Sequence, residues 1–186
     1  NNILPIYSQA GMGKGALVAD VVTKLLKNDI PVLYHFCGSG MANNLHAILY
    51  HFILQGKKMQ LWKSDDEQVQ KLLAKLPSKY PDVIMLFHTL IDECFSPTRK
   101  NVSGNMVVVI DGLDEAFVAH SDYNISDYFN SYDDKGESTG SWASKKNIKW
   151  IFTYREGFYS FPDLGSAHSV DSLQPLSGLD EESVAK

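Results

Sequence analysis

The sequence predicts an α/β domain in three layers, a central parallel sheet with helices on both faces. Three features lead there. Short apolar runs alternate with longer stretches of helical periodicity. One run, Met106–Ile110, is apolar at every position, as a strand buried on both faces of a parallel sheet requires. A glycine-rich turn, Gly11-Met12-Gly13-Lys14-Gly15, stands between the first strand and the first helix.

In chain order, Ile3–Tyr7 is a short β-compatible run. Within Ala16–Lys27, residues Leu17, Val18, Val21, Val22, Leu25 and Leu26 fall at helical spacing. Pro31 opens the second strand, Val32–Phe36, and the Gly38–Gly40 turn leads to a helix over Ala42–Gln55. Two more helices are expected over Asp65–Leu76 and Val83–Phe95, the former capped by Ser64 and acidic in its first turn. Pro77 and Pro81 punctuate the gap between them. Met106–Ile110 is the third strand. Asp122–Asn147 is polar, and its later half reads as a mobile surface loop. Ile148–Thr153 is the fourth strand, Ser169–Leu173 a fifth, and Asp180–Lys186 the start of a helix. Strands joined through helices cross over right-handed, and such sheets bind ligands at the carboxyl ends of their strands.

The bulk properties narrow the function. The chain has 186 residues, enough for one domain with its own core. Its formal charge of −5 disfavours a broad nucleic-acid or anionic-membrane surface, since both need a dense positive field. No apolar run approaches the roughly 18 residues of a membrane helix. Two cysteines, Cys37 and Cys94, are too few for a disulfide framework or metal cluster, and fit reduced thiols in a cytoplasmic protein. The six histidines form no ligand set: His46 and His51 are five apart, and His35 reads as a packed strand residue. Both ends look cut, the first strand beginning almost at residue 1, so a piece of a larger protein is expected.

The stretch Ser8–Gly15 aligns with the phosphate-loop pattern, glycine, four residues, then Gly-Lys-Ser/Thr. In such a loop the backbone N–H groups and the helix dipole converge on phosphate. Gly11, Met12, Gly13, Lys14, Gly15 and Ala16 are the candidate binding residues, with Lys14 carrying charge to the outer phosphates. Ser8 replaces the first glycine and is expected to strain or reshape the turn. Gly15 replaces the Ser/Thr whose hydroxyl ordinarily ligates Mg²⁺, so binding is better supported than fast hydrolysis. The alternative is a glycine-rich turn that only caps a helix.

Asp111-Gly112-Leu113-Asp114-Glu115 ends the third strand with three carboxylates within five residues. Asp111 is placed to hold Mg²⁺, directly or through water, and Asp114 or Glu115 to orient and deprotonate an attacking water. At the end of the fourth strand, Thr153 can hydrogen-bond that water or the γ-phosphate. Arg155 can sense γ-phosphate charge through its planar fork. A surface arginine paired with a carboxylate is an equally good reading of Arg155.

Together, Gly11–Lys14, Val32–Cys37, Asp111–Glu115 and Thr153-Tyr154-Arg155 resemble the STAND class of P-loop NTPases, and within it the NACHT-type, nephrocystin-3-like domains. Leu173-Gln174-Pro175-Leu176-Ser177 resembles the family's passage from sheet to helical lid. The resemblance implies a sheet of order 5-1-4-3-2, a P-loop domain over residues 1–175 and the start of a truncated lid over 176–186. It implies ATP or ADP with Mg²⁺, slow hydrolysis used as a switch, and control of self-assembly in a multidomain protein. Its partners are then the nucleotide and other domains of the parent chain.

Two functions compete. One is an ATP-binding switch with weak ATPase activity. The other is a catalytically dead P-loop scaffold for protein–protein contacts, which Ser8 and Gly15 favour. A small-molecule kinase lacks a marked acceptor site, and a signalling GTPase would need the Asn-Lys-x-Asp motif that is absent here.

Overall fold

Met106, Val108 and Ile110 pack into one hydrophobic cluster, while Val107 and Val109 pack into another on the opposite face of the same strand. That alternation, along a run with no polar residue, gives the molecule its three layers. The computed structural model describes residues 3–38, 44–62, 67–75, 80–94, 106–118, 130–132, 138–141 and 148–157. Its elements are β1 (Ile3–Ser8), α1 (Lys14–Lys27), β2 (Val32–Phe36), α2 (Leu45–Lys58), α3 (Glu67–Ala74), α4 (Tyr80–Cys94), β3 (Met106–Asp111), α5 (Leu113–Val118), β4 (Asn130–Tyr132), β5 (Ser138–Ser141) and β6 (Ile148–Arg155).

The main sheet is parallel, in the order β1-β6-β3-β2. Counting only its own strands, that order is 1-4-3-2, where five strands in the order 5-1-4-3-2 were expected. The strand expected over Ser169–Leu173 and the helix expected over Asp180–Lys186 lie outside the described residues. On one face, Val18 and Val22 of α1 pack against Val32, Val107 and Val109. On the other, α2, α3 and α4 supply Phe52, Leu73, Phe87 and Leu90, which meet Leu33, Val108, Trp150 and Phe152 of the sheet.

Several boundaries differ from expectation for identifiable reasons. Helix α2 begins at Leu45 because Asn44 caps it, its side chain accepting from Ala47 N at 2.8 Å. Helix α4 begins at Tyr80 and holds Pro81 in its first turn, where the missing N–H forfeits no helical bond. Ser64, the cap expected for α3, lies outside the described residues. The polar stretch expected to be a loop contains an antiparallel hairpin, β4 with β5. Its strands are short and polar, so no hydrophobic alternation announces them. No helix among the described residues is long and apolar enough to cross a membrane.

His35 is a core residue, 1% exposed, as its strand position implied. Its Nδ1 lies 3.1 Å from Nδ1 of His51 on α2. Gln55 fixes the protons of this pair. Its Oε1 accepts from Tyr34 N at 2.9 Å and its Nε2 donates to Tyr34 O at 2.8 Å, so the amide has one orientation. Nε2 also donates to His51 Nε2, at 3.0 Å. His51 therefore carries its proton on Nδ1 and donates it to His35, and both rings are neutral. Burial, then the repulsion His51 would exert once protonated, holds His35 down to about 4 from 6.5, and burial lowers His51. A histidine whose folded value is depressed binds fewer protons folded than unfolded, so stability falls as pH drops from about 6.5 toward 4. Denaturant titrations at pH 7 and pH 4.5 are expected to differ by on the order of 2 kcal/mol more in the native chain than in His35→Phe. Equal differences in the two proteins would contradict this account of the pair.

Candidate phosphate-binding site

Parallel register sets the site. Ser8 pairs with Arg155, and Phe36 with Asp111, while Ile110 opposite Phe152 brings Asp111 level with Thr153. All four strands thus end at one edge, β1 and β6 two residues beyond β2 and β3, and the loop after β1 opens over that edge. Gly11 and Gly13 have φ of 81° and 84°, left-handed values that L side chains rarely adopt. They turn the chain tightly enough for Lys14 to begin α1.

Helix α1 starts bare. Its N-cap is Gly13, no side chain caps it, and its first turn holds no acid, while Lys24 and Lys27 sit in its last turn. The contrast with α2, capped by Asn44, is direct. An uncapped N-terminus leaves N–H donors and the positive end of the helix dipole open to an anion.

Lys14 arches back over the loop. Its ammonium donates to Ser8 O at 2.8 Å, Ser8 Oγ at 3.1 Å and Gln9 O at 2.9 Å. Ser8 is the last residue of β1, 2% exposed and without positive φ. The strain expected from losing the first glycine is therefore absent: the position is still strand, and the hydroxyl helps to hold the lysine.

The acidic segment divides into two parts. Asp111 ends β3, whereas Asp114 and Glu115 lie in the first turn of α5. Arg155 engages the latter two. Its backbone N–H donates to Asp114 Oδ1 at 3.1 Å, its Nε lies 3.3 Å from Asp114 Oδ2, and an Nη donates to Glu115 Oε1 at 2.6 Å. The fully buried Thr153 hydroxyl donates to Asp111 Oδ1 and accepts from Gly112 N, the latter at 2.8 Å. Its single proton here goes to Asp111, which it orients.

The loop and the carboxylates meet at Gly15. A Cβ built there would stand 3.0 Å from Asp111 Oδ2 and 3.8 Å from Cγ. All candidate residues, Gly11 to Ala16, Asp111, Asp114, Glu115, Thr153 and Arg155, therefore belong to elements converging on one edge of the sheet. Cys37 also belongs to the neighbourhood and carried no motif of its own. Its N–H donates to Asp111 O at 2.9 Å. Burial, then Glu115, Asp111 and Asp114, push its thiol up to about 12, so it stays protonated and unreactive. The strand register, Phe36 opposite Asp111, is the signal that would have placed it.

Among the described residues no group of three or more His, Cys, Asp or Glu could hold a metal by itself. Asp111 fits a hard cation that arrives with phosphate, since Mg²⁺ is commonly held by one or two carboxylates together with phosphate oxygens and water.

Comparison with curated proteins finds no match. Among solved structures, the chain is similar to the ORC2 protein of Aeropyrum pernix, solved as ADPNP–ADP complexes, with 14% identity and a TM-score of 0.39. That similarity covers 83% of this chain and 35% of the ORC2 chain. The profile of the family described as "Nephrocystin 3, N-terminal" matches residues 1–155 of the 186. The chain belongs to the nephrocystin 3 N-terminal family.

Proposed function

We propose that this chain is a P-loop domain that binds ATP or ADP and serves as a slow, nucleotide-dependent switch in a larger cytoplasmic protein of the STAND, NACHT-type class. The observation that carries the proposal is the bare, acid-free start of α1, with Lys14 beside it and Asp111 within contact range of Gly15. In this reading the N–H groups of Gly11–Ala16 cradle the phosphates, Lys14 turns from the loop carbonyls to the outer phosphates, and Asp111 holds Mg²⁺. The NTPase unit spans residues 1–175, and 176–186 begin the lid. Other domains of the parent chain and further copies of it are the partners that respond to nucleotide state.

The ion pairs support slow turnover. Asp114 and Glu115, the candidates for activating water, are both committed to Arg155. A γ-phosphate beside Arg155 would compete for the guanidinium and loosen α5 from the end of β6, which is a two-state device. The second reading, a catalytically dead scaffold, is favoured by Gly15, which supplies no hydroxyl to a metal.

Two outcomes test the switch. Calorimetry on the full-length protein should show micromolar or tighter ADP binding, weakened at least about 10-fold in Lys14→Ala, since charge-assisted hydrogen bonds contribute roughly 1.5–3 kcal/mol. Failure of the native protein to bind ADP or ATP would remove the proposal. In Arg155→Ala the ratio of ATP to ADP affinity should fall about 5-fold or more, because only the triphosphate can draw on that guanidinium. An unchanged ratio would leave binding intact and sink the switch.

A further inference from the structure

We propose that the Ser8 hydroxyl is a latch on Lys14: it accepts the ammonium's third proton, holds the lysine withdrawn into the loop and so lowers the affinity of the resting site for nucleotide. The inference rests on the nucleotide-binding reading above and assigns the residue that sets the affinity of that same site.

Lys14 has no donor left over. An ammonium carries three N–H groups and accepts nothing. Its acceptors are Ser8 O at 2.8 Å, Gln9 O at 2.9 Å and Ser8 Oγ at 3.1 Å. Three donors meet three acceptors. The two carbonyls would remain whatever residue stood at position 8, but the third oxygen belongs to the serine side chain. A glycine there, as the phosphate-loop pattern has it, would leave one N–H open to phosphate.

The acceptors are also fixed. Ser8 is the last residue of β1, paired with Arg155 and only 2% exposed. Its carbonyl receives Glu156 N as well, at 3.2 Å. Its hydroxyl gives its own proton to Gln9 O, at 3.3 Å, which turns the oxygen's lone pairs toward the ammonium. The latch is thus a buried acceptor, oriented for Lys14 and carried on the sheet itself.

Phosphate reaches the lysine only after the ammonium leaves at least one of these oxygens. The apparent affinity is then the intrinsic one reduced by the fraction of molecules in which the lysine is released. Hydrogen bonds from a charged donor are stronger than neutral ones, so deleting the one to Oγ raises that fraction and the nucleotide affinity with it. A di- or triphosphate, with several anionic oxygens side by side, is the class of ligand suited to draw the lysine out.

The test uses the full-length protein, with ADP calorimetry and, in the absence of nucleotide, acetylation of lysines by acetic anhydride followed by mass spectrometry. Lys24, exposed on α1, is the reference amine. Ser8→Ala removes the oxygen from a buried strand position, and Ser8→Gly restores the pattern. Both should bind ADP about 5-fold more tightly than the native protein. In both, Lys14 should react several-fold faster relative to Lys24. Ser8→Thr, which keeps the hydroxyl, should stay closer to native on both measures. Unchanged or weaker ADP binding in Ser8→Ala, or an unchanged Lys14 rate, would overturn the inference. Failure of the native protein and Ser8→Ala alike to bind ADP would instead remove the nucleotide reading, and this inference with it.

Discussion

Everything at the site follows from four parallel strands ending at one edge of the sheet, β1 and β6 two residues beyond β2 and β3. The register pairs Ser8 with Arg155 and Phe36 with Asp111, so a lysine loop, an acidic strand end and an arginine strand end share one edge of the sheet, where Arg155 and Thr153 then bond to the acidic segment. The hydrophobic alternation of β3 maintains that register. A shift by one residue would turn Val107 and Val109 to the wrong face and move Asp111 out of reach of both Thr153 and Gly15.

Within that frame the polar groups fall into two classes. Lys14, Thr153, Asp114, Glu115 and Arg155 are engaged with one another or with backbone. The start of α1 and Asp111 Oδ2 are not capped in that way. Satisfied groups stiffen the edge, and the open ones define what it can receive: an anion on the helix side and a cation on the carboxylate side. A nucleotide phosphate with its metal, the ligand proposed above, would answer both requirements at once.

Much of this was legible in the sequence, and for traceable reasons. The unbroken apolar run of β3 reads as a doubly buried strand, and Gly11 and Gly13 between a strand and a helix mark the tight turn into α1. What escaped depends on contacts between segments distant in sequence. The role of Ser8 turns on a backbone that stays extended and a lysine six residues on. The Thr153 hydroxyl meets a carboxylate 42 positions away, Asp111. His35 and His51 meet across a strand and a helix, which spacing along one helix could not reveal. The β4–β5 hairpin is too short and too polar, and the six-residue α5 too short, for periodicity to report.

The central claim is that the amides around Lys14 and the carboxylates after β3 line one pocket. Hydrogen–deuterium exchange of the full-length protein, with and without ADP and Mg²⁺, addresses it without any substitution. The account predicts slowed exchange in Gly11–Ala16 and in Asp111–Glu115 together, at one ADP concentration, with β4 and β5 unchanged. Protection of one segment without the other, or of neither while ADP is bound, would contradict it.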